Sequence, residues 1–292
     1  MKIAIALGGG AAKGYAHLGV LKEIQKAGIH IDIVTGTSIG SLMGGVYATT
    51  GDAYKTIEKI LAFVQSDKYK DSEIDFFDEL KKSSRSRIWD KVGNLLRKGY
   101  MITFSLTREG MISEENYYTM IDALVDEYKI EDLPIKFGTV SLDLISGDRV
   151  VIKDGGLRFA VAASSAIPGV FPPVVIGDRQ LVDGGWVENI PIILAKEMGA
   201  DFVIAVDLGE EIEDAPPLVN GLNVVMRADD ISRHYLKQFY LKDADIVISP
   251  DVKDIFWASF REVEKGIHRG ENEMKKRMDE LKKLLNEKGL SL

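Results

Sequence analysis

Short apolar segments of strand length alternate with segments of helical periodicity along most of this chain. Residues 2–7 and 31–35 predict buried strands, and the segments that follow them predict helices over 14–27 and 39–48. Such alternation indicates a mainly parallel sheet that is covered by helices on both faces. The sequence therefore predicts an α/β protein. Further strands are predicted at 135–144, 149–152, 180–182, 202–207, 223–226 and 245–248.

Charge and residue usage exclude several classes of function. The 292 residues carry a formal net charge of −8, which argues against a general nucleic-acid binder. The chain has no cysteine, so disulfide scaffolds, thiolate zinc sites and cysteine nucleophiles are excluded. It shows neither a secretory signal pattern at its start nor an uncharged apolar stretch of membrane-spanning length. These observations predict a cytoplasmic protein.

The core of the fold is predicted over 1–207, with a helical insertion over about 66–115 that is rich in charged and aromatic residues. Within the insertion, residues 81–98 carry seven basic side chains against Asp90 alone, a local charge of +6. Trp89 and other apolar residues fall at helical spacing opposite most of these charges. A basic amphipathic helix of this kind suits peripheral contact with an anionic membrane. A cap helix packed on the core, with its basic face in solvent, explains the pattern equally well.

The C-terminal part, residues 208–292, is predicted to contribute strands and a long helix that complete the same domain or pack on it. Apolar residues alternate four and three apart within a helical pattern over about 256–288. This spacing favours a surface helix docked on the core over a dimer seam.

The first motif with chemical meaning is Gly36-Thr37-Ser38-Ile39-Gly40, which directly follows a predicted strand and opens a predicted helix. A G-x-S-x-G turn requires glycines, here Gly36 and Gly40, because the sharp bend leaves no room for side chains beside the serine. The turn places the hydroxyl at a helix N-terminus, where the helix dipole favours the negative charge that develops in acyl transfer. This context favours Ser38 as a nucleophile.

A second motif, Gly8-Gly9-Gly10-Ala11-Ala12-Lys13-Gly14, lies between the first strand and its helix. Consecutive glycines allow backbone N–H groups to converge on one anion, either a phosphate or an oxyanion. The dinucleotide pattern G-x-G-x-x-G fails in every register, and the phosphate-loop pattern fails because Tyr15 follows the last glycine. Nucleotide binding is therefore disfavoured.

A serine nucleophile needs a base, and the four histidines do not supply an obvious one. His17 lies within the first predicted helix, where a packing role is favoured, and neither His234 nor His268 lies in a recognisable strand-end loop. Two Asp-Gly-Gly sequences remain, one at Asp154 and one at Asp183. Because Asp-Gly is a common surface turn, spacing alone favours Asp183 only slightly.

Together these residues resemble the patatin-like phospholipase family, in its bacterial branch. Four elements occur in the family's order over about residues 3–207: the glycine-rich loop with its basic residue Lys13, the elbow 36–40, the segment 163–173 and Asp183-Gly184-Gly185. The resemblance implies a three-layer α/β/α fold with a mainly parallel central sheet, like the catalytic domain of cytosolic phospholipase A2. Family loops usually carry glycine where Ala11 stands. Alanine retains its amide donor, so the oxyanion hole is retained if Ala11 does not need a positive φ.

The resemblance also implies roles for individual residues. Ser38 is implied to attack an ester carbonyl with Asp183 as its base, and Gly184 and Gly185 flank that base. The oxyanion hole is implied to come from the glycine-rich loop, through Gly8, Gly9, Gly10, Ala11, Lys13 and Gly14. Neither a metal nor another cofactor is expected. A carboxylate is a weak base unless burial raises its pKa, so Asp183 is expected to lie in a partly apolar pocket.

The implied activity is hydrolysis of phospholipids, lysophospholipids or other fatty-acyl esters. Acyl transfer is an alternative in which an alcohol replaces water. A regulatory protein that binds acyl lipid without turnover is another, although a pure binder has no need of Ser38 or Asp183.

Overall fold

An eight-stranded sheet runs through the residues that the computed structural model describes, namely 1–71, 110–209, 212, 214, 217 and 220–290. Its strands are β1 (Ile3–Leu7), β2 (Ile33–Gly36), β3 (Lys136–Asp143), β4 (Arg149–Ile152), β5 (Val174–Ile176), β6 (Arg179–Asp183), β7 (Phe202–Val206) and β8 (Ile246–Ile248). Their order is β5-β6-β3-β2-β1-β7-β8, with β4 paired to β3. The five neighbouring strands β3, β2, β1, β7 and β8 are parallel to one another. Strands β4, β5 and β6 add antiparallel pairs. The predicted mainly parallel sheet is confirmed.

Helices flank the sheet. They are α1 (Tyr15–Lys26), α2 (Ile39–Ala48), α3 (Ala53–Gln65), α4 (Asp67–Asp71), α5 (Glu114–Leu124), α6 (Leu157–Ser165), α7 (Ile192–Glu197), α8 (Gly221–Leu241) and α9 (Val263–Glu287). Short 3-10 turns lie at Ala11–Gly14, Ile130–Asp132 and Gly184–Trp186. Helix α9 packs along α1, and β8 pairs with β7, so the C-terminal part joins the same sheet and the same helical layer.

Alternate residues of β1 face opposite sides of the sheet. Ile3, Ile5 and Leu7 belong to a large apolar core that includes α1 and α2, whereas Ala4 and Ala6 belong to a smaller core that includes α7. All five are buried. A strand that is buried on both faces requires a helical layer on each side. The predicted three-layer α/β/α architecture is therefore confirmed.

One predicted element is wrong. Residues 223–226 were expected to form a strand, but they lie in the first turns of α8. Val224, Val225 and Met226 resemble a strand in sequence, yet they are 51%, 66% and 58% exposed, so no sheet buries them. Asn220 caps the helix instead, because its side-chain oxygen accepts a hydrogen bond from the Asn223 amide at 2.9 Å.

The basic cluster at residues 81–98 lies outside the described residues. Helices α3 and α4 precede it in the chain, and helix α5 follows it from Glu114 onwards. Within the described ranges, no helix combines the length and the apolar character needed to cross a bilayer.

Candidate active site

Ser38 lies at the junction of β2 and α2, in the G-x-S-x-G turn. Its backbone has φ 57° and ψ −129°, a conformation that residues other than glycine rarely adopt. Such strain costs about 1–3 kcal/mol and persists only where surrounding contacts impose it. A Cβ atom at Gly36 would overlap the backbone of Gly40, and one at Gly40 would overlap the backbone of Leu7. Close backbone approach therefore explains both glycines of the turn.

Hydrogen bonds from neighbouring segments hold the strained serine in place. The Ser38 amide donates to the carbonyl oxygen of Ser164 at 3.1 Å. The Ser38 carbonyl accepts hydrogen bonds from the hydroxyls of Ser41 at 2.7 Å and Ser165 at 3.0 Å. The segment 163–173, one of the four elements of the family resemblance, thus supports the elbow through Ser164 and Ser165.

The register of the sheet brings Asp183 to the level of Ser38. Gly36 of β2 aligns with Thr139 of β3, and two residues further along β3 Ser141 aligns with Asp183 of β6. Since Ser38 lies two positions after Gly36, Asp183 ends its strand at the level of Ser38. The Ser38 side chain lies near enough to the Asp183 carboxylate to lower the pKa of that carboxyl.

Asp183 is a buried carboxylate, and its whole residue is 3% exposed. Burial raises the pKa of Asp183 from 3.8 to about 6, against the opposing effects of the Ser38 side chain, the Gly185 amide and the charge of Arg233. The Gly185 amide donates to its Oδ1 at 2.7 Å. Because a base works best with a pKa near the working pH, this environment suits proton transfer from a hydroxyl. Asp154, by contrast, lies in an exposed turn between β4 and α6.

The glycine-rich loop passes directly beside the serine. A Cβ atom on Gly9 would lie 3.3 Å from the Cβ of Ser38. The Gly8 amide donates to the carbonyl oxygen of Val206 at 3.1 Å, and the Gly9 amide donates to that of Asn189 at 3.0 Å. The fold therefore uses the first two amides of the loop to anchor it.

The next two amides of the loop are not used in this way. Within the described residues, neither the Gly10 nor the Ala11 amide donates to a protein acceptor. The Lys13 amide returns to the carbonyl of Gly10 at 3.2 Å, and Gly14 packs against the side chain of Ile39 at the start of α2. Of the six loop residues named from the sequence, Gly10 and Ala11 are thus the two whose amides are available to an oxyanion.

Ala11 has a φ of 49°, so the loop does require a positive φ at this alanine. An L-residue in the left-handed region costs roughly 1–2 kcal/mol relative to the right-handed one. The alanine thus keeps the local path of the loop at the expense of backbone strain.

Two further residues support the site, and no sequence motif had assigned this to them. His17 is fully buried, and its Nε2 lies 2.7 Å from the carbonyl oxygen of Gly8. Because a carbonyl only accepts, Nε2 carries the hydrogen, and burial lowers the pKa of His17 to about 4. Asn189 holds the Gly9 amide through its carbonyl, and its side-chain Nδ2 lies 2.9 Å from the place of a Cβ on Gly9.

An apolar pocket of about 70 Å³ adjoins Ser38. Its walls come from α2, α3 and α5 and from the segment after α6, with the lining residues Leu42, Met43, Ile60, Phe63, Met120, Ile121, Leu124, Ile167 and Phe171. Tyr117 fixes one wall, because its ring stacks on Phe171 at 4.3 Å and its hydroxyl donates to the carbonyl of Ala162 at 2.6 Å. The pocket offers an apolar chain a place directly beside the serine hydroxyl.

The fold and site define a class of α/β/α proteins in which a glycine-rich loop, a serine and an aspartate meet at the carboxyl end of the parallel strands. The family model for patatin-like phospholipase matches residues 5–196. The chain belongs to the patatin-like phospholipase family, which confirms the resemblance seen in its motifs.

Several curated proteins that resemble this chain are much longer than it. The chain is 33% identical over 214 residues to patatin-like phospholipase domain-containing protein 6 of Mus musculus, a match that covers 72% of this chain and 14% of that protein. It is 29% identical over 238 residues to lysophospholipase NTE1 of Kluyveromyces lactis, which covers 80% of this chain and 15% of that protein. An uncharacterized NTE family protein of Mycobacterium tuberculosis is 32% identical over 233 residues, a match that covers 78% of this chain and 56% of that protein. This chain spans only a small part of the first two relatives.

Among solved structures, VipD from Legionella pneumophila has a similar fold. The comparison gives a TM-score of 0.53 at 17% identity and covers 96% of this chain and 67% of that chain. This likeness supports the fold alone.

Proposed function

We propose that this chain is a serine acyl-ester hydrolase that acts on lipid substrates, with Ser38 as the nucleophile and Asp183 as the base. The observation that carries the proposal is the buried Asp183 carboxylate, whose pKa burial raises to about 6 and which the sheet register brings to the level of the Ser38 side chain. Membership of the patatin-like phospholipase family and the relative named lysophospholipase NTE1 support a lipid acyl ester as the substrate class.

The proposed reaction has two halves. Asp183 accepts the hydroxyl proton as the Ser38 Oγ attacks the ester carbonyl, whose oxygen becomes an oxyanion facing the Gly10 and Ala11 amides. The ester C–O bond then breaks, and the proton on Asp183 passes to the leaving alcohol. A water molecule attacks the acyl-serine in the second half and gives its proton to Asp183. The acyl C–Oγ bond then breaks, Asp183 returns the proton to the Ser38 Oγ, and the fatty acid leaves.

The apolar pocket favours an acyl chain as the group transferred. Its lining is almost entirely aliphatic and aromatic, and Ser38 itself forms part of the wall. Burial of an apolar chain there contributes about 0.8 kcal/mol for each methylene removed from water. Acyl transfer to an alcohol uses the same first half, so the nature of the acceptor distinguishes the two activities.

Covalent labelling tests the nucleophile directly. A fluorophosphonate probe should label the wild-type chain and not Ser38→Ala, while Ser146→Ala, in an exposed turn, serves as the matched control. Equal labelling of Ser38→Ala and the wild type would contradict the assignment. Turnover of a lysophospholipid panel, measured by mass spectrometry of the products, tests the base. Asp183→Asn should lose most of this turnover, and Asp154→Asn should lose little. Labelling without any product, with or without an added alcohol, would favour binding without turnover.

We also propose, from the sequence alone, that residues 81–98 contact an anionic membrane surface. Basic residues near such a surface contribute about 1 kcal/mol each before salt screening. Changing Arg85, Arg87, Arg97 and Lys98 to glutamate should abolish binding to anionic vesicles and leave turnover of a soluble ester intact. Unchanged binding to anionic vesicles at low and high salt would contradict this role.

A further inference from the structure

A polar cleft of about 320 Å³ lies between the turn after Asp183 and helix α8. Gly185 and Asn189 form one wall, and α8 supplies Arg227, Arg233 and Lys237 together with the single acidic residue Asp230. The cleft shares no lining residue with the apolar pocket, although each adjoins one member of the Ser38–Asp183 pair. The described part of the chain therefore has two chemically different clefts on either side of one reactive pair.

The wall of the polar cleft is in direct contact with the reactive pair. A Cβ atom on Gly185 would lie 3.0 Å from the Asp183 Oδ1 and 3.3 Å from the Asn189 Nδ2. The same Nδ2 lies 2.9 Å from the place of a Cβ on Gly9, which is itself next to Ser38. The Asn189 carboxamide thus separates the cleft from the ester-binding position by the thickness of one side chain.

Two cationic side chains of α8, Arg233 and Lys237, keep hydrogen-bond donors beyond those that their carboxylate partners use. Arg233 lies over the ring of Trp186 at 4.9 Å and donates to Asp229 and Asp230, which occupy two of its five N–H groups. The neighbouring carboxylates thus hold the guanidinium in one orientation and leave three donors unspent.

Lys237 is arranged similarly at the base of the cleft. Its Nζ contacts both oxygens of Asp207, at 2.9 and 3.1 Å, and the Asp207 Oδ1 also accepts from the Gly209 amide at 2.8 Å. An ammonium group has three donors, so this pairing leaves one for another acceptor. The side-chain Nδ2 of Asn189 adds a neutral donor on the opposite wall.

We infer that this cleft binds the phosphate group of a phospholipid or lysophospholipid headgroup while the acyl chain occupies the apolar pocket. The inference rests on the proposed function, since it concerns the leaving-group side of the same ester. A planar guanidinium matches phosphate oxygens with parallel N–H donors, and a fixed lysine adds a point charge. The headgroup must leave Ser38 away from the acyl chain, and the cleft behind Gly185 and Asn189 is separate from the acyl pocket because the two share no lining residue.

A pair of substrates tests the subsite. A lysophospholipid and a monoacylglycerol with the same acyl chain, both below their micellar concentrations, differ only in the phosphate-bearing headgroup. In Arg233→Gln and Arg227→Gln, the ratio of kcat/KM for the lysophospholipid over the monoacylglycerol should fall by roughly tenfold or more, mainly through KM. Lys242→Gln, exposed at the end of the same helix, is the matched control and should keep the wild-type ratio. An unchanged ratio in both arginine variants would overturn the subsite while leaving ester hydrolysis standing.

Binding experiments separate the two sources of phosphate. An ether-linked lysophospholipid, which has no ester to cleave, should bind the Ser38→Ala protein in calorimetry and bind at least roughly tenfold more weakly when Arg233→Gln is added. Glycerol phosphate should compete with it more strongly than inorganic phosphate. Equal competition by inorganic phosphate would overturn the headgroup assignment and indicate a site for free phosphate. If neither substrate is hydrolysed but the ether lipid shows this loss, the proposed hydrolase fails and the subsite stands.

Discussion

His17 donates a hydrogen bond from its Nε2 to the carbonyl oxygen of Gly8 at 2.7 Å, and this bond joins helix α1 to the start of the glycine-rich loop. The amides of Gly8 and Gly9 are held from the other side by carbonyl oxygens of β7 and of the segment before α7. The first two peptide units of the loop are therefore fixed from both sides. The direction of the Gly10 and Ala11 amides follows from that anchoring, so we regard His17 as a positioning residue.

Replacing His17 should lower turnover more than substrate binding. His17→Leu leaves a buried carbonyl without its donor, a loss of about 1–3 kcal/mol, and frees the loop to tilt. We expect kcat for a soluble ester to fall by about tenfold with KM little changed, because amides aimed at an oxyanion act mainly in the transition state. His17→Gln, whose amide can donate to the same carbonyl, should restore part of kcat.

His30→Gln is the matched control for this pair of variants, since the His30 side chain is 82% exposed. It should retain full activity. Equal losses in kcat for His17→Leu and His17→Gln, or a loss confined to KM, would contradict a positioning role. Thermal unfolding of each variant distinguishes a tilted loop from global loss of structure.

The pH dependence of turnover should follow Asp183. Burial raises the pKa of Asp183 to about 6, and only the ionised carboxylate can accept the serine proton. For a neutral soluble ester, kcat/KM should be level above pH ~7 and fall about tenfold per pH unit below pH ~5. Burial lowers the pKa of His17 to about 4, so this histidine is neutral between pH ~5 and pH ~7. It therefore adds no further titration step near pH 6.5 to the activity profile. An acidic limb near the ordinary aspartate pKa of 3.8 would contradict the buried carboxylate.

The same shift predicts that Asp183→Asn stabilises the fold at neutral pH. The folded pKa of Asp183 lies above the unfolded one, so its stabilising effect is complete below pH 3.8 and is lost as the pH rises through about 6. Asparagine carries no charge and its oxygen can still accept from the Gly185 amide. The free energy of unfolding should therefore rise by up to about 3 kcal/mol at pH 8, with a gain near zero at pH 4.

Urea titrations of the variant and the wild type at both pH values measure this gain. His17 acts in the opposite direction over the same window, because its folded pKa is lowered and its contribution is lost as the pH falls from 6.5 to about 4. Both proteins contain His17, so the difference between them isolates Asp183. A gain that does not depend on pH would show that the carboxylate is not destabilised by burial.

Local sequence patterns predicted the fold and the strand–turn–helix context of Ser38. The alternation of elements predicted the parallel sheet, and the turn at 36–40 has the predicted strand before it and helix after it. Apolarity alone misassigned residues 223–226, because an exposed helix face with Val224 and Val225 resembles a buried strand until its surroundings are known. His17 and Asn189 contact the loop through tertiary packing that no spacing encodes, and Arg233 meets Trp186 for the same reason. A motif predicts the residues that a turn needs locally. Contacts between residues that the sheet brings together from distant parts of the chain can be identified only from the structure.

Ala11→Gly should stabilise the protein without loss of activity. The left-handed φ of 49° at Ala11 carries a strain that glycine does not, although glycine also loses more backbone entropy on folding. The net effect should be a rise of about 0.5–1 kcal/mol in the free energy of unfolding, measured by urea titration. Ala12→Gly, which lies next to it at a negative φ, should instead be destabilising. A loss of stability in Ala11→Gly would show that the strain is not released.

Leu124→Phe should shift the chain-length preference of the proposed hydrolase towards short acyl groups. Leu124 lines the apolar pocket from α5, and the pocket volume is only about 70 Å³, so a larger ring removes space that a long chain needs. Overpacking of this kind costs about 1–3 kcal/mol, which a butyryl group beside Ser38 avoids and a lauroyl group does not. The ratio of kcat/KM for p-nitrophenyl laurate over p-nitrophenyl butyrate should therefore fall by roughly tenfold. Leu144→Phe, at a turn where the leucine is 51% exposed, makes the same substitution outside the pocket and should keep the wild-type ratio. An equal ratio in both variants would mean that the acyl chain binds elsewhere.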